Sequence, residues 1–220
     1  MKLPEQERRI LSRQTLAIIG GTGTVGRHVA ATAIEHGFSV RILARRPERV
    51  QLKSANAIIV EGNASDKAAI RSLLEGTDGV INAFGQPMRD KPIYSEVTKQ
   101  VVEIMKEFGI RRYIGVTGGS LDIEGDRKSW MNRIGARLFR LFYGDMIRDK
   151  QRELDILRAY ELDWTLVRLP FVHEGDVNKP VKVSPYDMPG MRISNHRIAQ
   201  FLVDQIKDAA YLRQTPFISQ

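Results

Sequence analysis

No cysteine occurs among the 220 residues. That excludes disulfides, thiolate nucleophiles and cysteine-bound zinc. Histidine is scarce at four, and no pairing of histidine with carboxylates has metal-ligand spacing, so no metal is expected. No apolar run is long enough to cross a bilayer. The charged N-terminus lacks the apolar stretch of a signal peptide, which makes the cytoplasm the expected compartment. Internal repeats and low-complexity linkers are also missing. What remains, with 42% apolar residues, suits one globular domain with a sizeable core and a small added lobe.

The most informative stretch is Gly20-Gly21-Thr22-Gly23-Thr24-Val25-Gly26, directly behind the apolar run Leu16-Ala17-Ile18-Ile19. A buried strand runs into a glycine-dense turn, and a helix is expected from about Thr24 to His36. This order aims a helix N-terminus and unpaired N–H groups at whatever lies beyond the strand, an arrangement that favours a pyrophosphate. The glycines fit either Gly21-x-Gly23-x-x-Gly26 or Gly20-x-x-Gly23-x-x-Gly26. The second spacing is that of short-chain and extended dehydrogenase-type domains.

Further strands are expected at Phe38–Leu43, Ala57–Val60, Gly79–Phe84, Tyr113–Val116 and Trp164–Val167, and helices at Lys67–Leu74 and Tyr94–Phe108. In the second helix Val97, Val101, Ile104, Met105 and Phe108 share one face. Alternating strands and helices predict an α/β Rossmann-type doubly wound parallel sheet with ligands at the carboxyl ends of its strands. Residues 14–220 form this single domain, residues 1–13 an N-terminal arm, and about 120–150 a variable lid.

Where an NAD-selective domain has an acidic residue after its second strand, this chain has Ala44-Arg45-Arg46-Pro47 with Arg49 close behind. Guanidinium groups pair with a 2′-phosphate, so NADP(H) is favoured over NAD(H). The net charge of +8 fits a solvated basic surface concentrated near such a polyanion. Neither an aromatic ribonucleoprotein motif nor a zinc finger accompanies it, so no nucleic acid is expected.

Gly20 to Gly26, Leu43-Ala44-Arg45, Val60 to Asp66 and Gly115-Val116-Thr117 resemble atypical short-chain dehydrogenase/reductase proteins of the NAD(P)H-binding family. Within it, the biliverdin-IXβ reductase/flavin reductase-like branch is most similar. Ser95-Glu96, Leu162 to Pro170 and Ile193-Ser194-Asn195-His196 extend the likeness. The resemblance implies that Gly20, Gly21, Thr22, Gly23, Thr24, Val25 and Gly26 hold the pyrophosphate. It places Arg45 and Arg49 at the 2′-phosphate, and Asn63 and Ala64 beside the adenine. Ala83, Phe84, Gly85 and Gln86 would pass under the ribose, while Thr117, Pro170, Phe171 and Val172 border the nicotinamide. Two positions depart from the branch: Gly118 stands where it has serine, and Phe171 where it has histidine.

Ordinary short-chain dehydrogenases use Tyr-x-x-x-Lys, and no tyrosine here has lysine four residues on. Hydride transfer is then expected to suit an acceptor that spreads its own charge, such as a flavin, a quinone or a tetrapyrrole. Thr117 and Ser120 are candidate proton-donating hydroxyls or simple turn residues, and His173 a candidate acid or orienter in a loop. Lys150 reads as a solvated helix lysine, with reach to a cofactor oxygen as the alternative. The rival readings are a catalytically quiet NADP(H)-sensing protein and an epimerase-like enzyme that retains its cofactor.

From Trp130 to Arg152, Trp130, Ile134, Leu138, Leu141 and Phe142 recur at helical spacing beside Arg133, Arg137 and Arg140. A lid over an anionic aromatic acceptor, an interaction surface for another subunit or for a membrane face, and a helix packed on the domain all fit this pattern. Monomer and homodimer both remain open.

Overall fold

The computed structural model describes residues 14–175 and 179–220. The expected N-terminal arm, residues 1–13, lies outside the described residues. The first half of the domain runs β1 (Thr15–Ile19), α1 (Gly26–Glu35), β2 (Ser39–Ala44), β3 (Ala57–Glu61), α2 (Lys67–Leu74), β4 (Gly79–Asn82) and α3 (Tyr94–Phe108). It continues through β5 (Arg112–Gly118), α4 (Trp130–Ala159), β6 (Asp163–Leu169), β7 (Phe171–His173), β8 (Lys182–Ser184), β9 (Arg192–Ser194), α5 (Asn195–Asp204) and β10 (Phe217–Ser219).

An eight-stranded sheet has the order β3-β2-β1-β4-β5-β6-β10-β8, parallel except where β8 meets β10. This is the doubly wound Rossmann topology. The chain winds outward from β1 to β3 and returns beside β1 as β4. That reversal opens a crevice at the carboxyl ends of β1 and β4, the place where such sheets bind ligands.

Both faces are covered because buried parallel strands alternate side chains between two cores. In β1, Leu16 and Ile18 join Val29, Ala33 and Ile198 on the side of α1 and α5. Ala17 and Ile19 join Ile70, Val101, Ile104 and Leu157 on the side of α2, α3 and α4. Along α3 the expected apolar face is buried at Val97, Val101, Ile104 and Met105. Phe108, at the end of that helix, is instead exposed with the Arg71 guanidinium over its ring. The helix stops there because Gly109 takes a left-handed conformation, φ +71°.

The second sheet, β7 paired in parallel with β9, was not legible in the sequence, and neither were β8 and β10. Each spans three residues, too short to show a period. Pro170 separates β6 from β7, since it has no N–H to continue a ladder. His173 therefore lies in a strand rather than a loop, opposite Ser194.

Helix α4 departs most from expectation. Its backbone breaks helical geometry at Tyr143 (φ −129°, ψ 36°). Beyond the kink, Leu154 and Leu157 enter the core. Before it, Trp130, Ile134, Leu138, Leu141 and Phe142 are exposed, so the apolar stripe does not pack on the domain. The start of α4 is pinned to the loop before β9: the Ser129 N–H and Asn132 Nδ2 donate to Asp187 at 2.9 and 2.8 Å. Burial works to raise the pKa of Asp187, but these bonds, with one from the Met188 N–H, outweigh it and hold the carboxyl below its ordinary value.

Candidate functional site

At the end of β1 the chain turns through Gly20 at φ +76°, a conformation that L side chains rarely adopt. The Gly23 N–H closes this turn on the Gly20 carbonyl at 2.9 Å. Gly26 then begins α1 so close to the turn that an added Cβ would lie 2.1 Å from the Gly20 oxygen. The close approach packs the helix on its own turn, since the nearest atoms are all backbone of Gly20 and Gly21. Thr22, Gly23 and Thr24 form the exposed rim. No side chain caps α1 and no acidic residue occupies its first turn, which leaves its positive end open to an anion.

The neighbouring strand ends converge on this rim. Arg45 and Arg49 are exposed past β2, and among the described residues no carboxylate lies within ion-pair distance of either. Past β3, the Gly62 N–H bonds the Ala44 carbonyl at 3.1 Å, which draws Asn63 and Ala64 alongside. Asn63 is exposed, whereas Ala64 is buried in the core. After β4, Ala83 lies directly behind Gly20, whose added Cβ would meet the Ala83 oxygen at 2.5 Å. Gly85 is exposed. The Gln86 side chain is committed to its own loop, bonding the Lys91 carbonyl and the Ile93 N–H at 2.8 and 3.0 Å.

Across the crevice, the Gly119 N–H bonds the Leu169 carbonyl at 2.9 Å and joins the ends of β5 and β6. Phe171 and Val172 are exposed beyond Pro170. Glu174 forms an ion pair with Arg27 of α1, which ties the end of β7 to the helix that follows the glycine turn. His173 itself points its Nδ1 at the Glu174 carbonyl, 2.9 Å away. Beneath it His28 meets His196 edge to face, at 6.4 Å between centroids. Burial and then the neighbouring Arg27 hold the His28 pKa below its ordinary value.

Thr117, the last residue but one of β5, has its hydroxyl buried, and Oγ1 has no hydrogen-bond partner among the described residues. Such an orphan is costly unless a ligand satisfies it. Ser120 is half-buried nearby, its Oγ within 3.5 Å of the Cβ position of Gly118.

Lys150 overturns its sequence reading as a solvated lysine. It is 8% exposed, donates to the Glu153 carboxylate at 2.9 Å and reaches the Val116 carbonyl at 3.2 Å, one residue before Thr117. Its ammonium also stands 3.8 Å from the centroid of the Tyr94 ring, a cation–π contact. A directed hydrogen-bond chain continues from it. Glu153 accepts from Thr98 at 3.1 Å, Thr98 lies 3.3 Å from the Tyr113 hydroxyl, and Tyr113 accepts from Asn82 at 2.9 Å. Asn82 in turn accepts the Phe84 N–H at 3.0 Å, so the chain joins the loop after β4 to the end of β5. Burial pushes the Tyr113 phenol well above its ordinary pKa, and burial likewise raises Tyr94. Both tyrosines stay protonated at neutral pH. The sequence signal for Lys150 was weak because its partners Tyr94, Val116 and Glu153 lie on three different elements.

The expected lid has a different shape from that drawn above. Its arginine edge and the loop 121–128 border an open cleft of ≈ 360 Å³, lined by Asp122, Asp126, Lys128, Arg133, Arg137 and Arg140. Neither Thr117 nor Ser120 lines it. Burial works to raise the Asp122 pKa, but Lys128 and Arg140 outweigh it and keep the carboxylate below its ordinary value.

A sequence-family model described as NAD(P)H-binding matches residues 20–209. The chain is 40% identical over 72 residues to (4-alkanoyl-5-oxo-2,5-dihydrofuran-3-yl)methyl phosphate reductase from Streptomyces griseus, a match covering 33% of this chain and 25% of that protein. The chain thus matches about a quarter of that curated relative's length. Among solved structures, a short-chain dehydrogenase/reductase from Veillonella parvula in complex with NADP superposes with a TM-score of 0.77. It is 15% identical, over 94% of each chain. An anaerobillin reductase from Escherichia coli O157:H7 gives a TM-score of 0.76 at 15% identity, over 94% of this chain and 97% of that one. At such identity the structural likeness speaks to the fold, and the resemblance read from the motifs holds for family and fold. With the glycine turn, the uncapped helix end and the crevice between β1 and β4 on the same side of the sheet, the chain belongs to the NAD(P)H-binding family.

Proposed function

We propose that the protein is an NADPH-dependent reductase that delivers hydride to a conjugated aromatic acceptor, such as a flavin, a quinone or a linear tetrapyrrole. The observation that carries this reading is Lys150, held beside the orphan hydroxyl of Thr117 at the carboxyl end of β5. The residues present fit a dinucleotide. The turn at Gly20 to Gly26 is a cradle that a Cβ would fill, and Thr117 Oγ1 supplies a polar atom in need of a partner. Thr22 to Val25 would hold the pyrophosphate, Arg45 and Arg49 the 2′-phosphate, Asn63 and Ala64 the adenine, and Ala83 to Gln86 the ribose side. Thr117, Pro170, Phe171 and Val172 would border the nicotinamide.

When bound, the reduced nicotinamide supplies the hydride. The chain's own residues then have three tasks. Exposed Phe171 and Val172 offer an apolar surface to a flat acceptor. Thr117 and Ser120 orient it through their hydroxyls. Lys150, fixed by Glu153 and the Val116 carbonyl, places positive charge where electron density builds on the acceptor, and the final proton comes from water or from a hydroxyl of Thr117 or Ser120. An acceptor that delocalises charge needs no Tyr-x-x-x-Lys pair. His173, bonded to its own strand end, acts as an orienter at most.

The test is loss of NADPH absorbance on adding FMN, a small quinone or a linear tetrapyrrole. Steady turnover is expected with at least one of these. Tight NADPH binding without turnover across the three classes would favour the catalytically quiet sensor, a reading supported by the missing Tyr-x-x-x-Lys. Lys150→Met combined with Glu153→Gln removes the pair without leaving a lone buried charge. We expect turnover to fall about 100-fold while NADPH affinity is retained; unchanged turnover would remove Lys150 from the chemistry.

Cofactor choice has its own test. Arg45→Ala should weaken NADPH binding about 10- to 100-fold, the loss expected for charge-assisted hydrogen bonds, and leave NADH binding unchanged. Titration by fluorescence reads both. Equal losses for the two cofactors would refute the 2′-phosphate assignment.

A further inference from the structure

The first half of α4 presents a surface that the proposed chemistry does not use. Trp130, Met131, Ile134, Leu138, Leu141 and Phe142 are between 47% and 79% exposed. At about 100° per residue these six side chains fall within an arc of about 120°, opposite the buried Ala136. They form one continuous apolar stripe that faces away from the domain.

Arg133, Arg137 and Arg140 run along one edge of this stripe. Arg140 is tied to Asp122. Among the described residues, no carboxylate lies within ion-pair distance of Arg133 or Arg137. No Asp or Glu occurs anywhere from Ser129 to Gly144. The whole chain adds a net charge of +8.

Three occupants compete for such a face. A second copy of the chain would set one acid-free arginine row against another in a self-complementary interface, with no carboxylate to compensate. An acidic protein groove would satisfy the arginines, yet the stripe is open and convex, ending in large flat side chains. An anionic lipid surface satisfies both features together. Trp, Phe and Leu enter the boundary between headgroups and acyl chains, and arginines at the edge of the stripe meet the phosphates. No helix among the described residues is long and apolar enough to span a membrane, so the contact is a peripheral one.

We propose that the segment Trp130–Phe142 of α4 is an amphipathic element that docks the protein on anionic lipid bilayers. The kink at Tyr143 separates this docking half from the half that carries Lys150 and packs in the core. The helix therefore lies on a surface without moving the site.

Vesicle co-sedimentation of the full chain tests this, using phosphatidylcholine alone and phosphatidylcholine mixed with an equal share of phosphatidylglycerol. Trp164 is 3% exposed, so a blue shift of tryptophan emission on adding vesicles reports Trp130. Binding and a blue shift are expected with the anionic vesicles and are lost as salt is raised. Leu141→Ser with Phe142→Ser should lower partitioning at least about tenfold, and Arg133→Gln and Arg137→Gln about fivefold for each arginine removed. Neither Leu141 nor Phe142 packs in the fold, so circular dichroism and NADPH binding should match the parent and report a folded variant. No sedimentation with anionic vesicles at low salt would overturn the proposal, as would equal binding by the Leu141→Ser/Phe142→Ser variant. A dimer seen by light scattering that this variant dissociates would overturn it in favour of a second copy.

Discussion

Replacing Gly26 with alanine is expected to weaken NADPH binding at least about 100-fold, equivalent to about 2.7 kcal/mol. The added Cβ would lie 2.1 Å from the Gly20 oxygen, 2.7 Å from its carbonyl carbon and 2.8 Å from the Gly21 Cα. All three are backbone atoms, so no side chain can swing aside. Either α1 retreats from the turn or the turn opens, and both move the N–H groups that would face the pyrophosphate. Gly135→Ala is the control: it also lies in a helix, but nothing stands within 4 Å of its Cβ position. That change should leave binding intact and favour the helix by about 1 kcal/mol. Isothermal titration with NADPH reads both variants, and an alanine at position 26 that binds like the parent would sink the pyrophosphate assignment.

Arg168→Met is expected to destabilise the fold by about 3–5 kcal/mol, read from the urea unfolding free energy. Arg168 is 1% exposed and gathers four segments. Its Nη1 donates to both Asp126 oxygens at 2.7 Å, its Nε to the Thr215 carbonyl at 2.8 Å and its Nη2 to the Pro185 carbonyl at 3.3 Å. The guanidinium also lies 3.4 Å from the centroid of the Phe217 ring. Burial lowers the Arg168 pKa while Asp126 works against that shift, and the side chain stays charged across the usual range. Methionine fills much of the volume but takes the bidentate partner from a largely buried carboxylate, with side-chain exposure of 11% at Asp126. Among the described residues that carboxylate keeps only Lys128 at 3.6 Å and the Ile123 N–H at 3.1 Å. Adding Asp126→Asn to Arg168→Met should recover part of the loss. A single variant as stable as the parent would show that the cluster contributes no net stability.

The site suffers with it. Arg168 sits opposite Thr117 in the ladder between β5 and β6, and Asp126 belongs to the loop that lines the cleft under α4. One buried ion pair thus ties this loop to β6 at the position paired with Thr117.

The dinucleotide half was legible because its signals are local. The turn at Gly20 to Gly26 follows its strand directly in sequence, and the structure starts α1 at Gly26. The boundaries of α2 and α3 fell where the sequence reading put them, and the structure adds that Asp66 caps α2, accepting the Ala68 N–H at 2.9 Å. The rest depends on neighbours distant in the chain. A three-residue strand such as β10 exists because β6 and β8 flank it, and no period of its own announces it.

The tertiary structure alone decided the other half of the site. Helical spacing from Trp130 to Phe142 shows that one face is apolar and cannot show which way that face turns. Packing of Ala136 toward the domain turned it outward. Lys150 looked solvated because its own helix offers only Glu153, three residues on. Tyr94 from α3 and the Val116 carbonyl from β5 buried it. By itself the sequence determined the fold class and the place of the glycine turn, since a turn between strand and helix is specified by neighbouring residues. Folding determined which charges lost their water, because desolvation is a property of what several elements bring together.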